Sequence, residues 1–279
     1  RSGGENCVLW TVEWIFRCPR VARAAYARGL ALLSLVDGRL PVPTPRIEWT
    51  GARTPFAAYR KITGSSFDPV AYAAAPATDR TIMARSFAEF LAAMHCCLTT
   101  AEIAELGIPA PGRADGPGRS DRAIGGPGRP DEAGRSVALG ACVQSDQVPP
   151  PARAFVTTLL TEAAEHPARG LNVLLHNDFH CGNLVLDAPV GRLAGVWDFS
   201  CVELGPATLD LRYLDNESRD LLRRTAAEYE RISGRSVGVS AAIVANRIEW
   251  VCDLVELGHP ERITGLVDQW RAADAGSPA

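Results

Sequence analysis

The chain has 279 residues, 47% of them hydrophobic and 22% charged, with a formal net charge of −3. This composition is typical of a folded globular protein and excludes a disordered or fibrous one. The weak net charge does not suit a protein that coats nucleic acid or an anionic membrane. No apolar run approaches the length of a membrane span. We therefore expect small-molecule partners, with no nucleic acid and no membrane among them.

Residue usage also excludes several kinds of enzyme. Lys61 is the only lysine, and it lies between Arg60 and Ile62. The Gly-Lys-Ser/Thr loop that binds phosphates in P-loop NTPases is therefore absent. The eight cysteines form no C-x-x-C pair, which argues against a zinc site of that spacing. We expect them to be free thiols, mostly buried, in a reducing cytoplasm.

The N-terminal part, residues 1–63, has the pattern of a small β-rich lobe. Residues 7–18 are rich in β-branched and aromatic types and predict a tight hairpin. Residues 20–36 predict a helix, because apolar side chains recur on one side of it. Two further strands are expected at 46–50 and 56–62.

The remaining part, residues 64–279, is expected to be larger and mainly helical. Its first helix is predicted over 78–98, with Thr78 or Asp79 as the N-cap. Residues 107–150 contain GPGR twice and are rich in Arg, Gly and Pro, so we expect a flexible insertion there. Further helices are predicted at 151–166, 207–216, 218–233, 239–257 and 260–272, and short strands at 172–176, 183–187 and 192–197. The pattern predicts an α+β protein with two lobes.

The densest polar cluster lies between apolar strands, in VLLHNDFHCGNLVLD at 173–187. His176, Asp178 and Asn183 have the spacing H-x-D-x-x-x-x-N, and Asp198 follows the next apolar strand in GVWDFS. Strand ends hold side chains rigidly while leaving them open to solvent. Phosphoryl transfer needs a positioned nucleophile and neutralisation of phosphate charge, and this set of residues suits both needs.

Each of these side chains has a role that fits its chemistry. Asn183 and Asp198 would supply an amide oxygen and a carboxylate oxygen, the ligands that Mg²⁺ prefers. Asp178 would accept the proton of an attacking hydroxyl, and His176 would brace the loop by hydrogen bonding. A single Asp after a strand is usually a turn or cap residue, but that interpretation does not account for the whole set.

With these residues the chain resembles the aminoglycoside phosphotransferase family, small-molecule kinases with the bilobal protein-kinase fold. The catalytic loop of that family is similar to H-G-D-x-x-x-x-N, and here Asn177 replaces the Gly. The downstream VELGPATLDL also matches, with Asp210 as the acidic residue that steadies the loop. The resemblance implies Asp178 as catalytic base, Asn183 and Asp198 as magnesium ligands, and ATP or GTP as co-substrate. It also implies a small β-rich N-lobe and a larger, mainly helical C-lobe.

The resemblance extends to the small lobe. WIFRCPR at 14–20 resembles the strand that anchors phosphates, which implies that Arg17 contacts the nucleotide. YRKITG at 59–64 is similar to the hinge between lobes, which implies that backbone groups near Tyr59 and Lys61 meet the purine.

Two departures from the family pattern lie in this lobe. Gly29 stands where the family has the helix Glu that pairs with the phosphate-anchoring base, so another carboxylate, such as Glu13 or Glu5, would have to orient Arg17. The chain does not begin with Met, and Gly3-Gly4 is interpreted as a remnant of the phosphate-covering hairpin. We therefore expect the N-lobe to be truncated at its start.

A possible acceptor site lies on the predicted helix 239–257. Glu249, Asp253 and Glu256 recur there at i, i+4 and i+7, so we expect them on one face. This face is either a solvated acidic surface or a rim that attracts a polycationic aminoglycoside. Asp215 and Glu217 would contribute to the same rim.

The sequence thus predicts a kinase that transfers the γ-phosphoryl group of ATP or GTP to a hydroxyl of an aminoglycoside-like antibiotic. Two alternatives stay open. One is a metabolic kinase of the same fold that acts on choline, homoserine or a sugar. The other is a catalytically impaired kinase-like binding module, which the departures in the small lobe favour.

Overall fold

The computed structural model describes residues 6–20, 23–51, 53–108, 139–144, 146–168 and 170–276. Its N-terminal part is an antiparallel sheet of four strands in the order β1-β2-β4-β3, with one helix. These elements are β1 (Asn6–Trp10), β2 (Trp14–Pro19), α1 (Arg23–Val36), β3 (Ile47–Thr50) and β4 (Ala57–Arg60). The predicted order of one hairpin, one helix and two strands is confirmed.

The hairpin between β1 and β2 is closed by its turn residues. The backbone N–H of Thr11 donates to the carbonyl of Trp14 over 2.8 Å. The hydroxyl of Thr11 accepts from the backbone N–H groups of Glu13 and Trp14 over 3.3 and 3.0 Å. Because the Thr11 side chain accepts hydrogen bonds from the backbone N–H groups of the turn, the turn stays short and β1 pairs directly with β2.

Helix α1 packs its apolar side inward, with Leu32, Leu33 and Val36 buried. It is tied to the sheet by the Tyr26 hydroxyl, which donates to the carbonyl of Arg17 over 2.8 Å. This contact matters for the site, since it fixes the strand that carries Arg17.

The C-terminal part is mainly helical and contains two two-stranded ladders, β5 with β8 and β6 with β7. The helices are α2 (Pro69–Ala74), α3 (Ala77–Met94), α4 (Thr100–Leu106), α5 (Pro150–Glu165), α6 (Thr208–Leu211), α7 (Leu214–Glu217), α8 (Arg219–Ser233), α9 (Val239–Glu256) and α10 (Ile263–Gly276). The strands are β5 (Asn172–Leu175), β6 (Leu184–Leu186), β7 (Leu193–Val196) and β8 (Glu203–Pro206). The predicted two-lobed α+β architecture is confirmed.

The main core lies between α3, α8 and the strands that lead to the polar loop. Phe87 and Phe90 of α3 are fully buried against Phe179 of that loop, at ring-centroid distances of 5.7 and 5.6 Å. This cluster of three buried aromatic rings stabilises the loop that contains Phe179. In the described part of the chain, no helix is both long and apolar enough to cross a membrane.

Three expectations about the helices need correction. The N-cap of α3 is Pro76 rather than Thr78 or Asp79, and Asp79 lies in the first turn, where its charge suits the helix dipole. Helix α3 also ends at Met94. Two short helices were not predicted, α2 and α4, although Asp68 and Thr99 cap them through ordinary side-chain hydrogen bonds.

The predicted insertion at 107–150 is wrong at its C-terminal end. Residues 139–144 are helical, and Leu139 and Val148 are fully buried in a second core with α5, α9 and α10. Val143 packs on the same core, because residues four apart share one face of a helix. The GPGR repeats lie outside the described residues, as do Gly3-Gly4. The eight cysteines, all in described segments, are free thiols, as expected. The expectation that most of them are buried is wrong, because only Cys181 and Cys252 are buried, while five are half-buried and Cys96 is exposed.

Candidate active site

The pairing of β6 with β7 brings two of the predicted site residues together. Leu184 pairs with Val196 in this antiparallel ladder. One step further out, the backbone N–H of Trp197 donates to the carbonyl of Asn183 over 2.9 Å. Asn183 and Asp198 therefore extend from neighbouring strand ends, as the sequence predicted.

The side chain of Asn183 holds the carboxylate of Asp178. Its Nδ2 donates to Asp178 Oδ2 over 2.8 Å and to the Asp178 carbonyl over 3.0 Å. This bond orients the predicted base, and it leaves the amide oxygen of Asn183 for another partner. Asn183 thus connects the predicted base with the predicted metal ligand Asp198.

Asp198 lies just after β7, and its surroundings favour the ionised carboxylate. Its backbone is left-handed, with φ of 57°, a conformation that Asp tolerates better than most residues. Oδ1 accepts from the Ser200 hydroxyl over 2.6 Å and also from the Arg17 guanidinium. Burial alone would raise the pKa of Asp198, but the charge of Arg17 and the Ser200 bond outweigh it, so the pKa is lowered.

These groups have the donor chemistry that Mg²⁺ requires. Asn183 offers a neutral amide oxygen, and Asp198 offers a carboxylate whose lowered pKa keeps it ionised at neutral pH. Two protein ligands suffice, because Mg²⁺ keeps waters and takes further oxygens from phosphates. The residues present therefore fit a magnesium ion, with Asn183 and Asp198 as the side chains that would hold it.

Arg17 reaches from β2 to this site, and its side chain is only 11% exposed. Burial would lower its pKa, but the neighbouring Asp198 outweighs that effect, so the pKa of Arg17 is raised and the side chain stays cationic. Tyr59 packs beside it with its ring 6.4 Å from that of Trp197. Burial raises the pKa of Tyr59 to about 12, so the phenol is neutral.

The partner of Arg17 corrects one expectation. Glu13 lies instead beside Arg60, with an Nη1–Oε2 distance of 3.4 Å, because the antiparallel pairing of β2 with β4 places Trp14 opposite Arg60. Glu5 lies outside the described residues. A Cβ at Gly29 would be 3.7 Å from the Phe199 carbonyl, so α1 packs closely on the loop that carries Asp198. A carboxylate that orients Arg17 thus comes from Asp198, in the loop after β7, and not from α1.

The structure narrows the predicted hinge contact of Lys61 to one backbone group. Its backbone N–H donates to the Glu13 carbonyl over 2.8 Å, so this N–H is already used within the lobe. Its side chain is exposed. Purine recognition at Lys61 would therefore have to use the carbonyl group.

A buried carboxylate, Asp210, holds the start of the loop that carries Asp178. Its two oxygens accept from the backbone N–H groups of His176 and Asn177 over 2.9 and 2.6 Å. His95 Nε2 lies 2.9 Å from Oδ2, and His95 Nδ1 lies 2.7 Å from the Tyr229 hydroxyl. Burial would raise the pKa of Asp210, but the bonds from His95 and the loop lower it overall. Sequence reasoning missed His95, which lies outside every motif.

The ring of His176 uses both nitrogens inside the protein. Nδ1 accepts from the backbone N–H of Asp178 over 3.3 Å, and Nε2 lies 2.7 Å from the Trp197 carbonyl. His176 therefore links the Asp178 loop to the strand end before Asp198, as a brace between them. Its neighbour Asn177 has a left-handed backbone with φ of 62°, which explains why a Gly or an Asn suits this position.

Two further ionisable groups, His180 and Glu217, lie near this loop. His180 Nε2 lies 3.7 Å from Asp178 Oδ2, and this carboxylate raises the pKa of His180. Glu217 is half-buried nearby, and its burial raises the pKa of its carboxyl group although His180 opposes the shift. Within the described segments, no hydrogen bond or ion pair is formed by the Glu217 carboxylate.

The predicted acidic face of α9 is wrong for Glu249. This residue is only 3% exposed, and its Oε2 lies 2.7 Å from Arg212 Nε. Asp253 is half-buried, and Glu256 is exposed at the end of the helix. The core surrounds most of α9 as far as Glu249. The three acids therefore differ in burial, although their helical spacing is regular.

Comparison with known proteins decides the family. The sequence matches the phosphotransferase enzyme family over residues 1–238. The chain belongs to this family. The resemblance to this family is thereby confirmed. Among curated proteins, none matches the sequence of this chain.

Solved structures of phosphotransferases share the fold. A GDP complex of a mutant aminoglycoside 2'-phosphotransferase-IIIa has a TM-score of 0.75 at 17% identity and covers 99% of this chain and 91% of its own. The streptomycin–ATP ternary complex of APH(2")-IIa has a TM-score of 0.64 at 17% identity, covering 95% and 88%. Macrolide 2'-phosphotransferase type I has a TM-score of 0.62 at 17% identity, covering 96% and 88%. The predicted bilobal, kinase-like fold is confirmed.

Proposed function

We propose that this phosphotransferase is a magnesium-dependent kinase that transfers the γ-phosphoryl group of ATP or GTP to a hydroxyl of an aminoglycoside-like antibiotic. The observation that carries the proposal is the joining of Asp178, Asn183 and Asp198 in one loop system, with Arg17 reaching into it. Free thiols throughout the described segments support a reducing, cytoplasmic location.

In this proposal Asp178 accepts the proton of the acceptor hydroxyl as the hydroxyl oxygen bonds to the γ-phosphorus. The bond from the γ-phosphorus to the β,γ-bridging oxygen breaks, and ADP or GDP leaves with that oxygen. The bond from Asn183 Nδ2 keeps the carboxylate in one orientation, so less of the barrier goes to aligning the base. When bound between Asn183 and Asp198, Mg²⁺ supplies positive charge that neutralises phosphate oxygens. Arg17 adds a second cation on the side of β2, where it can exchange Asp198 for a phosphate group.

The donor nucleotide is proposed as ATP or GTP. Among the structural neighbours, one is a GDP complex and another contains ATP together with streptomycin. The hinge of this chain contributes the carbonyl of Lys61, whose N–H is already paired. A carbonyl oxygen can accept a hydrogen bond from an amino group of adenine or of guanine. We therefore propose that either ATP or GTP is the donor.

The acceptor is proposed to be cationic because of Glu217. A half-buried carboxylate beside His180 and the loop of Asp178 favours an ammonium group on the ligand. The half-buried Asp253 and the exposed Glu256 add negative charge from α9, which attracts cations at longer range. A neutral sugar would gain nothing from these charges.

A panel of acceptors tests the function. The purified protein is incubated with Mg²⁺ and γ-labelled ATP or GTP, together with kanamycin, gentamicin, a macrolide, choline, homoserine or a neutral sugar. We expect label to pass to an aminoglycoside, with the mass of one phosphoryl group added to it. Transfer to choline, homoserine or the sugar alone would support the metabolic alternative, and no transfer to any acceptor would support the binding module.

Replacing Glu217 by Gln tests the choice of a cationic acceptor. We expect KM for the best aminoglycoside to rise about 10-fold, the cost of losing one hydrogen-bonded charge contact, while KM for the nucleotide stays within twofold. Glu261→Gln serves as control, since Glu261 is an exposed carboxylate outside the site. Equal acceptor KM values for the Glu217→Gln and Glu261→Gln variants would contradict the role of Glu217.

A further inference from the structure

A buried ion pair lies directly behind the catalytic loop. Arg212 and Glu249 are each 3% exposed, and Arg212 Nε donates to Glu249 Oε2 over 2.7 Å. Burying two charges is costly unless their remaining hydrogen-bonding groups are also satisfied. The other contacts of this pair therefore indicate what it holds in place.

Arg212 holds the backbone of Asn177. Its Nη2 donates to the Asn177 carbonyl over 2.9 Å, and its Nη1 donates to the Leu209 carbonyl over 2.6 Å. The N–H of Asn177 is already bonded to Asp210, two residues before Arg212. Both backbone groups of Asn177 are thus held from one short segment.

Asn177 is the residue whose backbone direction decides where Asp178 points. It has a left-handed φ of 62°, a conformation that is strained for most residues and that Asn adopts more readily than they do. Such a conformation persists only when the surroundings impose it. Asp210 and Arg212 provide this restraint, because one bonds the N–H of Asn177 and the other bonds its carbonyl group.

Tyr213 links this ion pair to the far side of the loop. Its hydroxyl donates to Glu249 Oε1 over 2.5 Å and accepts from Arg212 Nη2 over 3.0 Å. Its ring meets that of His180 edge-on, with the centroids 6.0 Å apart. The network therefore contacts residues on both sides of Asp178.

We propose that Arg212 and Glu249 are positioning residues for phosphoryl transfer, which hold Asn177 in the conformation that aims Asp178 at the acceptor. The proposal rests on the proposed function of Asp178 as base. Glu249 acts through Arg212, because it fixes the guanidinium from α9 and leaves Nη2 directed at the Asn177 carbonyl. Both side chains are buried, so the proposal assigns them no contact with substrate.

The variant Glu249→Gln tests the proposal, because it keeps the side-chain shape and removes the charge that fixes Arg212. We expect kcat to fall about 10- to 100-fold, with KM for both substrates within twofold. We also expect the amide hydrogens of residues 176–179 to exchange at least about 10-fold faster. Tyr213→Phe removes one hydroxyl from the same network and should give a smaller loss of kcat in the same direction.

Asp274→Asn is the matched control. Asp274 pairs with the buried Arg247 over 2.7 Å, and no contact of that pair reaches the catalytic loop among the described contacts. Unchanged loop exchange in both Glu249→Gln and Tyr213→Phe, or a kcat loss no larger than that of the control, would overturn the proposal. If the wild-type protein transfers no phosphoryl group, the proposed function fails, and the exchange measurement still decides whether the pair positions the loop.

Discussion

Replacing Asp178 by Asn is expected to lower kcat by about 10²- to 10⁴-fold, the range that a general base contributes. The amide keeps an oxygen that accepts the 2.8 Å bond from Asn183, so the loop keeps its shape. It cannot accept the proton of the acceptor hydroxyl at neutral pH. Steady-state kinetics with the best acceptor of the panel measures this loss.

Binding should survive in this variant. We expect the dissociation constant of the magnesium nucleotide, measured by titration calorimetry, to stay within about threefold of the wild-type value. Asp187→Asn is the control, since Asp187 is an exposed acid at the end of the next strand that accepts from the Arg192 backbone. A rate for Asp178→Asn close to that of Asp187→Asn would show that another group takes the proton.

Replacing Asp198 by Asn is expected to weaken binding of the magnesium nucleotide at least about 10-fold, which corresponds to about 1.4 kcal/mol. The variant loses the only carboxylate among the two proposed ligands of the ion, while Asn tolerates the left-handed backbone at this position. Titration calorimetry with magnesium and a non-hydrolysable nucleotide measures the change.

The same titration without magnesium separates two effects of this substitution. Asp198 pairs with Arg17 in the structure, so the variant releases Arg17 for phosphate groups. We therefore expect affinity for the metal-free nucleotide to stay equal or to rise. An unchanged affinity for the magnesium nucleotide would contradict the role of Asp198. An equal loss of affinity with and without magnesium would mean that the substitution acts through Arg17 alone and not through the ion.

The geometry of the loop that carries Asp178 could be predicted from sequence because its residues lie close together along the chain. The strand–loop–strand pattern at 173–187 determines the ends of β5 and β6, and the side chains of Asp178 and Asn183 are only five residues apart. Asp198 follows the next strand, which pairs with β6 as a simple hairpin. Local chain direction therefore suffices to place these three residues.

Contacts between distant segments could not be predicted in the same way. Arg17 and Asp198 are 181 residues apart, and no pattern in the sequence chooses Asp198 over Glu13 as the partner. Glu249 shows a related difficulty. Helical spacing defines the faces of α9, but only tertiary packing decides that Glu249 meets Arg212 in the interior.

Hydrogen bonds between distant segments could not be predicted from the sequence either. The strand expected over 56–62 ends at Arg60, and the N–H of Lys61, the next residue, is taken by the Glu13 carbonyl. His95 supports Asp210 from the end of α3, where nothing in the local sequence distinguishes it from an ordinary surface histidine. Both depend on neighbours that the chain brings together only on folding.

The most direct test of the account is a double-mutant cycle on the two proposed magnesium ligands. The dissociation constant of the magnesium nucleotide is measured for Asn183→Ala, Asp198→Asn and the combined variant. If both side chains bind one ion, the first substitution already removes most of what the second can remove. We therefore predict that the combined loss falls short of the sum by about 1 kcal/mol or more, within the range seen for residues that share a partner. Losses that add fully would mean that Asn183 and Asp198 do not hold the same cation, and the kinase centre described for this chain would be contradicted.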